Sequence, residues 1–310
     1  MTRGRFAPSP SGDLHLGNLR TALAAWLFAR SRNGEFVMRI EDLDPTTSDP
    51  QVADGQLADL AALGLDWDGE PVWQSQRLDL YRDAIETLAK QALTYRCWCS
   101  RRDIADAPRA PHVPAGHYPG TCRDLSASEI ARHEASGKPP ALRLRTPRQH
   151  LTVTDELQGE HAETVDDFVL QRGDGTPAYN LVVVVDDATQ GINQVVRGRD
   201  LLTSTPRQAH LYDVLGQPRP SWVHVPLVLG PSGDRLAKRD GAVTLADQRV
   251  AGRGDAQVLA GLARSLGVAI EDREATIGEV LEQFDPADVV TSDTDFESLL
   301  GHLSPAPTKT

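Results

Sequence analysis

The run Arg5-Phe6-Ala7-Pro8-Ser9-Pro10-Ser11-Gly12-Asp13-Leu14-His15-Leu16-Gly17-Asn18 constrains the fold more than any other stretch of the chain. A short apolar start enters a loop of proline, serine and glycine, and the sequence then reads as helix over 19–28. Strand, loop and helix in that order describe a nucleotide-binding crossover. The helix N-terminus there offers unpaired N–H groups and a partial positive charge to an anion. His15 and Asn18 are three residues apart, so both can face one phosphate. Gly17 between them lets a flat ring come close to the backbone. The competing reading is that His15 simply caps or lines an ordinary helix start.

The wording P-S-P-S-G-x-L-H-L-G-N at 8–18 resembles the H-I-G-H element of class I aminoacyl-tRNA synthetases, in their glutamyl branch. Asn18 stands where that element ends in His, and its amide can still donate to a phosphate oxygen. The resemblance implies an α/β fold: a Rossmann-like parallel sheet with a zinc-bearing insertion and a small helical C-terminal region.

At 310 residues the chain can hold two or three modules and a large core. No basic-then-apolar leader opens it, and the longest apolar run, 181–185, is only strand length. A cytoplasmic protein without a membrane segment, working as a monomer, is expected. The net charge of −12 repels nucleic acid overall. RNA contact would come from local clusters: Arg101-Arg102, Arg143 with Arg145 and Arg148, or Arg197 with Arg199. Each of these can equally be an ion-paired face.

Four divisions are expected: 1–96 and 166–230 as two halves of the nucleotide fold, 97–165 inserted between them, and 231–310 as a glycine-rich loop followed by helices. In the first, a strand over 35–40 ends in Glu41-Asp42, and amphipathic helices cover about 50–63 and 77–93. Ligands gather at the carboxyl ends of strands in open α/β sheets, which sets Glu41 beside His15. Trp67 and Trp73 read as core. In the second half, strands are expected over 167–170, 181–185, 192–196 and 223–229, with a helix over 203–215. Two further helices follow at about 256–266 and 277–283, and the tail from Ser304 reads as disordered.

The insertion carries all three cysteines, Cys97-x-Cys99 and Cys122. Three thiolates can hold zinc with a fourth ligand from Tyr118, His117 or His112, but three free buried thiols fit as well. A disulfide would leave an odd thiol. The spacing C-x-C…Y-x-x-x-C is similar to the zinc cluster of the small glutamyl-synthetase paralogues. That resemblance implies Cys97, Cys99, Tyr118 and Cys122 around one structural Zn²⁺, with His117 and His112 in reserve.

The segment Arg235-Leu236-Ala237-Lys238-Arg239 resembles the K-M-S-K-S loop of the same enzymes, with Arg for the first Lys and Ala for the Ser. A lysine between Gly233 and Gly241 can swing onto a triphosphate; standing alone, it would be a solvated surface turn. His15, Asn18 and Lys238 are therefore the candidate catalytic residues. Gly17 and Arg239 join them at ATP, which would carry Mg²⁺. Arg5, Ser9, Glu41, Tyr179 and Arg197 are the glutamate-binding positions implied by resemblance. The arginines could instead pair with Glu41 or Asp42 as structural ion pairs.

About 70 residues follow Lys238, too few for the helical anticodon-reading domains of a full glutamyl enzyme. R-G-x-D-L at 197–201 and Val183 after Tyr179 are similar to the paralogues that glutamylate queuosine in the anticodon loop of tRNA(Asp). Glutamate, ATP and queuosine-modified tRNA(Asp) are thus the expected partners. Three other readings stay open: an enzyme charging a tRNA 3′ end, an adenylate-forming ligase with a small acceptor, and a non-catalytic RNA-binding paralogue.

Overall fold

The computed structural model describes residues 1–106, 117–236, 240–241 and 243–303. The first part runs β1 (Arg3–Phe6), α1 (Leu16–Arg30), β2 (Glu35–Ile40), α2 (Pro50–Ala62), β3 (Val72–Trp73) and α3 (Leu78–Lys90). Next come β4 (Thr94–Cys97), α4 (Arg101–Asp106), α5 (Ala127–Ala135), β5 (Ala141–Leu144), β6 (His150–Asp155), β7 (Gly159–Thr164) and β8 (Val169–Gln171). Then follow α6 (Tyr179–Thr189), β9 (Gln194–Gly198), α7 (Thr205–Val214), β10 (Ser221–Val225) and β11 (Val228–Leu229). The chain closes with α8 (Leu245–Val250), α9 (Asp255–Ser265), α10 (Ile277–Glu282), β12 (Thr294–Asp295) and α11 (Phe296–Leu303).

Two sheets, β1-β2-β3 and β7-β6-β10-β9, meet edge to edge. The Asn193 N–H donates to the Arg3 carbonyl at 3.1 Å, and Arg5 Nη1 donates to the Val196 carbonyl at 3.2 Å, joining β1 to β9. The pairs β1–β2, β2–β3 and β9–β10 are parallel. The chain leaves β1 toward β2 on one side, and its second half returns on the other. That reversal opens a crevice beyond the carboxyl ends of β1, β2 and β9.

Helix α1 is apolar almost all round because it is covered on both sides: by the sheet through Val196, Val223 and Met38, and by α9 through Val258, Leu259 and Leu262. Arg20 is locked into that layer, donating to the Pro226 carbonyl and to Ser265. Burial pushes its guanidinium down to about 10, against the charge of Asp293. No helix among the described residues is long and apolar enough to cross a membrane.

Residues 181–185, expected as a strand, lie in α6. Their five apolar side chains are all buried, so the helix shows no polar stripe there, and a short apolar run does not distinguish the two states. The strand expected over 223–229 is divided in two, β10 and β11, around Pro226. Helix α1 reaches farther than 19–28 at both ends. The bounds of the insertion are crossed by strand pairing: β4, β5 and β8 form one antiparallel sheet, while the hairpin β6–β7 belongs to the main sheet through β10. Trp67 packs against the core as expected, and Trp73 is half-buried at the end of β3. The tail from Ser304 lies outside the described residues.

Candidate active site

His15 is the N-cap of α1. Its Nδ1 accepts the Asn18 N–H at 3.1 Å, and the Asn18 side-chain oxygen accepts the His15 N–H at 3.3 Å. The pair thus forms a capping box with unusual residues. Because Nδ1 accepts, the neutral ring carries its proton on Nε2 and presents a donor edge. A Cβ at Gly17 would lie 3.0 Å from His15 Nδ1, so the ring that needs this glycine is His15 itself. The preceding loop is pinned by Gln56 of α2, whose amide donates to the carbonyls of Ser9 and Gly12. The Glu41 N–H, donating to the Pro8 carbonyl, ties it to the end of β2.

One cavity of about 510 Å³ is lined by Arg5, Ser9, His15, Gly17, Asn18, Glu41, Tyr179 and Arg197, bringing together eight residues drawn from distant parts of the sequence. Arg5 Nε pairs with Asp187 Oδ1 at 3.2 Å, and Arg39 Nη1 reaches the same oxygen at 2.7 Å. Burial alone would raise the Asp187 carboxyl, but Arg5 and Arg39 outweigh it and hold it below the usual carboxylate range. Arg39 approaches Glu41 at 3.6 Å. Burial pushes the Glu41 carboxyl upward, opposed by Arg39 and Arg5. Asp186 is fixed by Arg77, Tyr81 and Gln74.

Arg197 differs from Arg5. Its partners among the described residues are His224, Gln208, the Leu201 carbonyl and Thr205, none of them a carboxylate. Neither arginine pairs with Glu41 or Asp42 as the alternative reading allowed; Asp42 accepts from Ser75 instead. Tyr179 begins α6 and is 37 % exposed at the cavity. Sequence reasoning missed Arg39, Asp186 and Asp187, although the charged residue inside β2 and the acidic pair ending an apolar run were the available signals.

Lys238 and Arg239 lie outside the described residues, as does Ala237. Their flanks are at the cavity: Arg235 lines it, Thr244 bridges to His15, and the Leu16 N–H donates to the Val243 carbonyl at 2.7 Å.

Away from this crevice, the sulfurs of Cys97, Cys99 and Cys122 lie within 4.8 Å of one another, with Cys99 and Cys122 at 3.6 Å. Bonds of ~2.3 Å from a tetrahedral ion set sulfurs roughly 3.8 Å apart, so the cluster could hold a metal ion. The Tyr118 oxygen is 3.3 Å from Cys97 and 4.0 Å from Cys99. Arg143 lies over the Tyr118 ring, 3.7 Å from its centroid, a countercharge for an anionic cluster. His117 faces Glu163 and is not part of this group, while His112 lies outside the described residues. Of the arginines of this region, Arg143 is buried, while Arg145 and Arg148 are partly exposed and ion-paired, with Asp124 and Asp167.

Residues 1–297 match the family described as tRNA synthetases class I (E and Q), catalytic domain. The chain belongs to the class I tRNA synthetase family. A glutamyl-Q tRNA(Asp) synthetase of Nocardia farcinica is 59% identical over 284 residues, covering 92% of this chain and 89% of that protein. One from Symbiobacterium thermophilum is 46% identical over 301 residues, covering 93% of each. These relatives put the chain in the glutamyl-Q tRNA(Asp) synthetase branch of the family, as a ligase of aminoacyl-tRNA synthetase type. A crystal structure of a glutamate tRNA ligase from Elizabethkingia meningosepticum, in complex with its amino acid, superposes with a TM-score of 0.82 at 27% identity. It covers 97% of this chain and 68% of that one.

Proposed function

We propose that this class I synthetase activates L-glutamate with ATP, giving glutamyl-adenylate and pyrophosphate. It then passes the glutamyl group to the queuosine base in the anticodon loop of tRNA(Asp), the bond to the adenylate breaking with release of AMP. The observation that carries the first step is the single cavity in which two buried arginines and Glu41 adjoin the capped tip of α1. Glu41 and Ser9 suit an α-ammonium group. Arg5 and Arg197, with the Tyr179 hydroxyl, suit a side-chain carboxylate.

Held at those two ends, the amino acid directs its α-carboxylate toward the helix tip. A carboxylate oxygen bonds to the α-phosphorus, and the bond from that phosphorus to pyrophosphate breaks. The nucleophile is already ionised, so positioning and charge stabilisation account for the catalysis. His15 and Asn18 donate to phosphate oxygens over the bare backbone at Gly17, while Lys238 and Arg239 meet the charge growing on pyrophosphate. Mg²⁺ accompanying ATP would supply further charge neutralisation. Zn²⁺ at Cys97, Cys99, Tyr118 and Cys122 would be structural, since all four ligands come from protein.

The acceptor is supported by the names of the Nocardia and Symbiobacterium relatives. The Elizabethkingia structure favours a second reading, transfer to a tRNA 3′ end. Pyrophosphate exchange measured without tRNA should depend on glutamate. Subsequent transfer should occur to tRNA(Asp) containing queuosine and not to the unmodified transcript. Charging of the unmodified transcript would establish the second reading, and exchange driven by another acid would overturn the first step.

A further inference from the structure

We infer that Asp155 and His224 are positioning residues that fix Arg197 and keep its charge available to an anionic substrate group, which makes this relay a determinant of specificity for a carboxylate over its amide. The inference rests on the assignment of Arg197 to substrate given above.

Three parallel strands place the three side chains in a row. His224 of β10 is opposite Arg197 of β9. Asp155 of β6 is opposite Trp222, two residues before His224 and therefore on the same face. Arg197 Nε donates to His224 Nε2 at 3.0 Å, and His224 Nδ1 lies 2.6 Å from Asp155 Oδ2. An arginine Nε can only donate, so Nε2 accepts and the imidazole proton sits on Nδ1, directed at Asp155. The other Asp155 oxygen accepts the N–H groups of His224, Leu157 and Gln158, which prevents the carboxylate from turning. Asp155, His224 and Arg197 are 2%, 0% and 5% exposed.

The other hydrogen-bond partners of Arg197 are neutral. Gln208 accepts from Nη1 at 2.8 Å and Thr205 from Nη2 at 2.9 Å. Gln208 also donates to Asn180, the neighbour of Tyr179. Arg5 shows the contrasting arrangement, a direct ion pair with Asp187. An imidazole between Asp155 and Arg197 orients the guanidinium plane without placing a carboxylate in contact with it. Its positive charge is then met by the ligand. A substrate amide in place of the carboxylate would leave that buried charge without a counter-ion.

Asp155→Asn tests the relay. The Asn oxygen can keep the three backbone N–H groups, while its NH₂ faces His224 and drives the imidazole proton to Nε2. Two donors then oppose each other at Arg197. The expected result is a glutamate KM raised on the order of 10- to 100-fold, the loss of a hydrogen bond to a charged group. The KM for ATP should be unchanged, and discrimination against glutamine should weaken. His224→Gln can return an amide oxygen to the Nε2 position and should recover glutamate KM to within about threefold of the parent; His224→Asn reaches only the Nδ1 side and should not. These two variants decide the matter should Asp155→Asn fail to fold. Independently, nitrogen NMR of the unmodified protein should find His224 protonated on Nδ1. A folded Asp155→Asn protein with unaltered glutamate KM, equal behaviour of the two His224 variants, or a proton on Nε2 would each overturn the relay. Absence of any glutamate-dependent exchange in the parent enzyme would count against the substrate assignment instead, and the NMR tautomer would still decide the relay.

Discussion

Asp187 holds Arg5 by an ion pair of 3.2 Å at a depth where neither side chain is more than 6% exposed. The same oxygen receives Arg39 at 2.7 Å, so one carboxylate balances two guanidinium groups and ties β1 to β2 through α6. Arg5 therefore serves the fold as well as the cavity. Arg197, with neutral partners, does not carry that double duty.

The two arginines should respond differently to removal. Arg197→Ala should raise glutamate KM on the order of 100-fold, equivalent to about 2.7 kcal/mol, and change the melting temperature little. Arg5→Ala should weaken glutamate binding and also lower the melting temperature. Exchange kinetics paired with thermal melts separate the two. Equal melting losses would contradict the distinction.

His15 both caps α1 and faces the cavity, and one substitution can divide these roles. Asn is among the best N-cap residues, so His15→Asn should keep stability within about 0.5 kcal/mol of the parent. Exchange turnover should fall by roughly 100-fold if the ring is a phosphate donor. A denaturant titration and an exchange assay on the same preparation give both numbers.

Lys238→Ala should reduce exchange by roughly 100- to 1000-fold with the circular dichroism spectrum unchanged. Unaltered exchange would remove Lys238 from the reaction.

Acid should weaken the protein in two stages. His224, His210 and His302 are pushed down by burial, so their contributions are full above the free imidazole value of ~6.5 and are lost as pH falls below it. Asp155, Asp167 and Asp187 are buried, which alone would raise them, but their partners hold them low: His224 for Asp155; the Thr146 N–H, Arg123, Tyr95 and Arg148 for Asp167; Arg5 and Arg39 for Asp187. Their contributions are full above ~3.9 and vanish as pH falls through the lower folded values. Melting temperatures measured from pH 8 to pH 3 should decline gently below about 6.5 and steeply below about 4. A flat profile down to pH 4 would contradict the first stage.

Metal analysis of protein with reduced thiols should return one zinc per chain, and Cys122→Ser should lose it. Removing the metal should make the region around Cys97–Tyr118–Cys122 more open to protease while leaving exchange largely intact. Protein without zinc would overturn the ligand set.

Much of this site was legible in the sequence because its parts are local. The run 5–18 carries its own turn residues and helix cap, and Glu41 closes a strand whose bounds follow from an Asn-Gly turn. What escaped depends on burial from both sides or on pairing across long separations. Helix α6 lacks a polar stripe over 181–185, so its apolar run matched a strand equally well. The hairpin β6–β7 joins the main sheet through a single residue pair, Trp222 with Asp155, that no local pattern announces. His224 lies inside an apolar strand, and its part in the site shows only through its neighbours on two other strands.

Helix α6 begins with Tyr179 and carries Asp187 eight residues later, about 12 Å along the same rod. Its tip lines the cavity through Tyr179, while its far end grips Arg5, a second lining residue. Sliding or tilting that rod shifts the phenol and the anchor in concert, so the pocket cannot widen at one side and hold still at the other. A ligand pressing on the ring would be felt, through the helix and the Asp187–Arg5 pair, at the first strand of the protein.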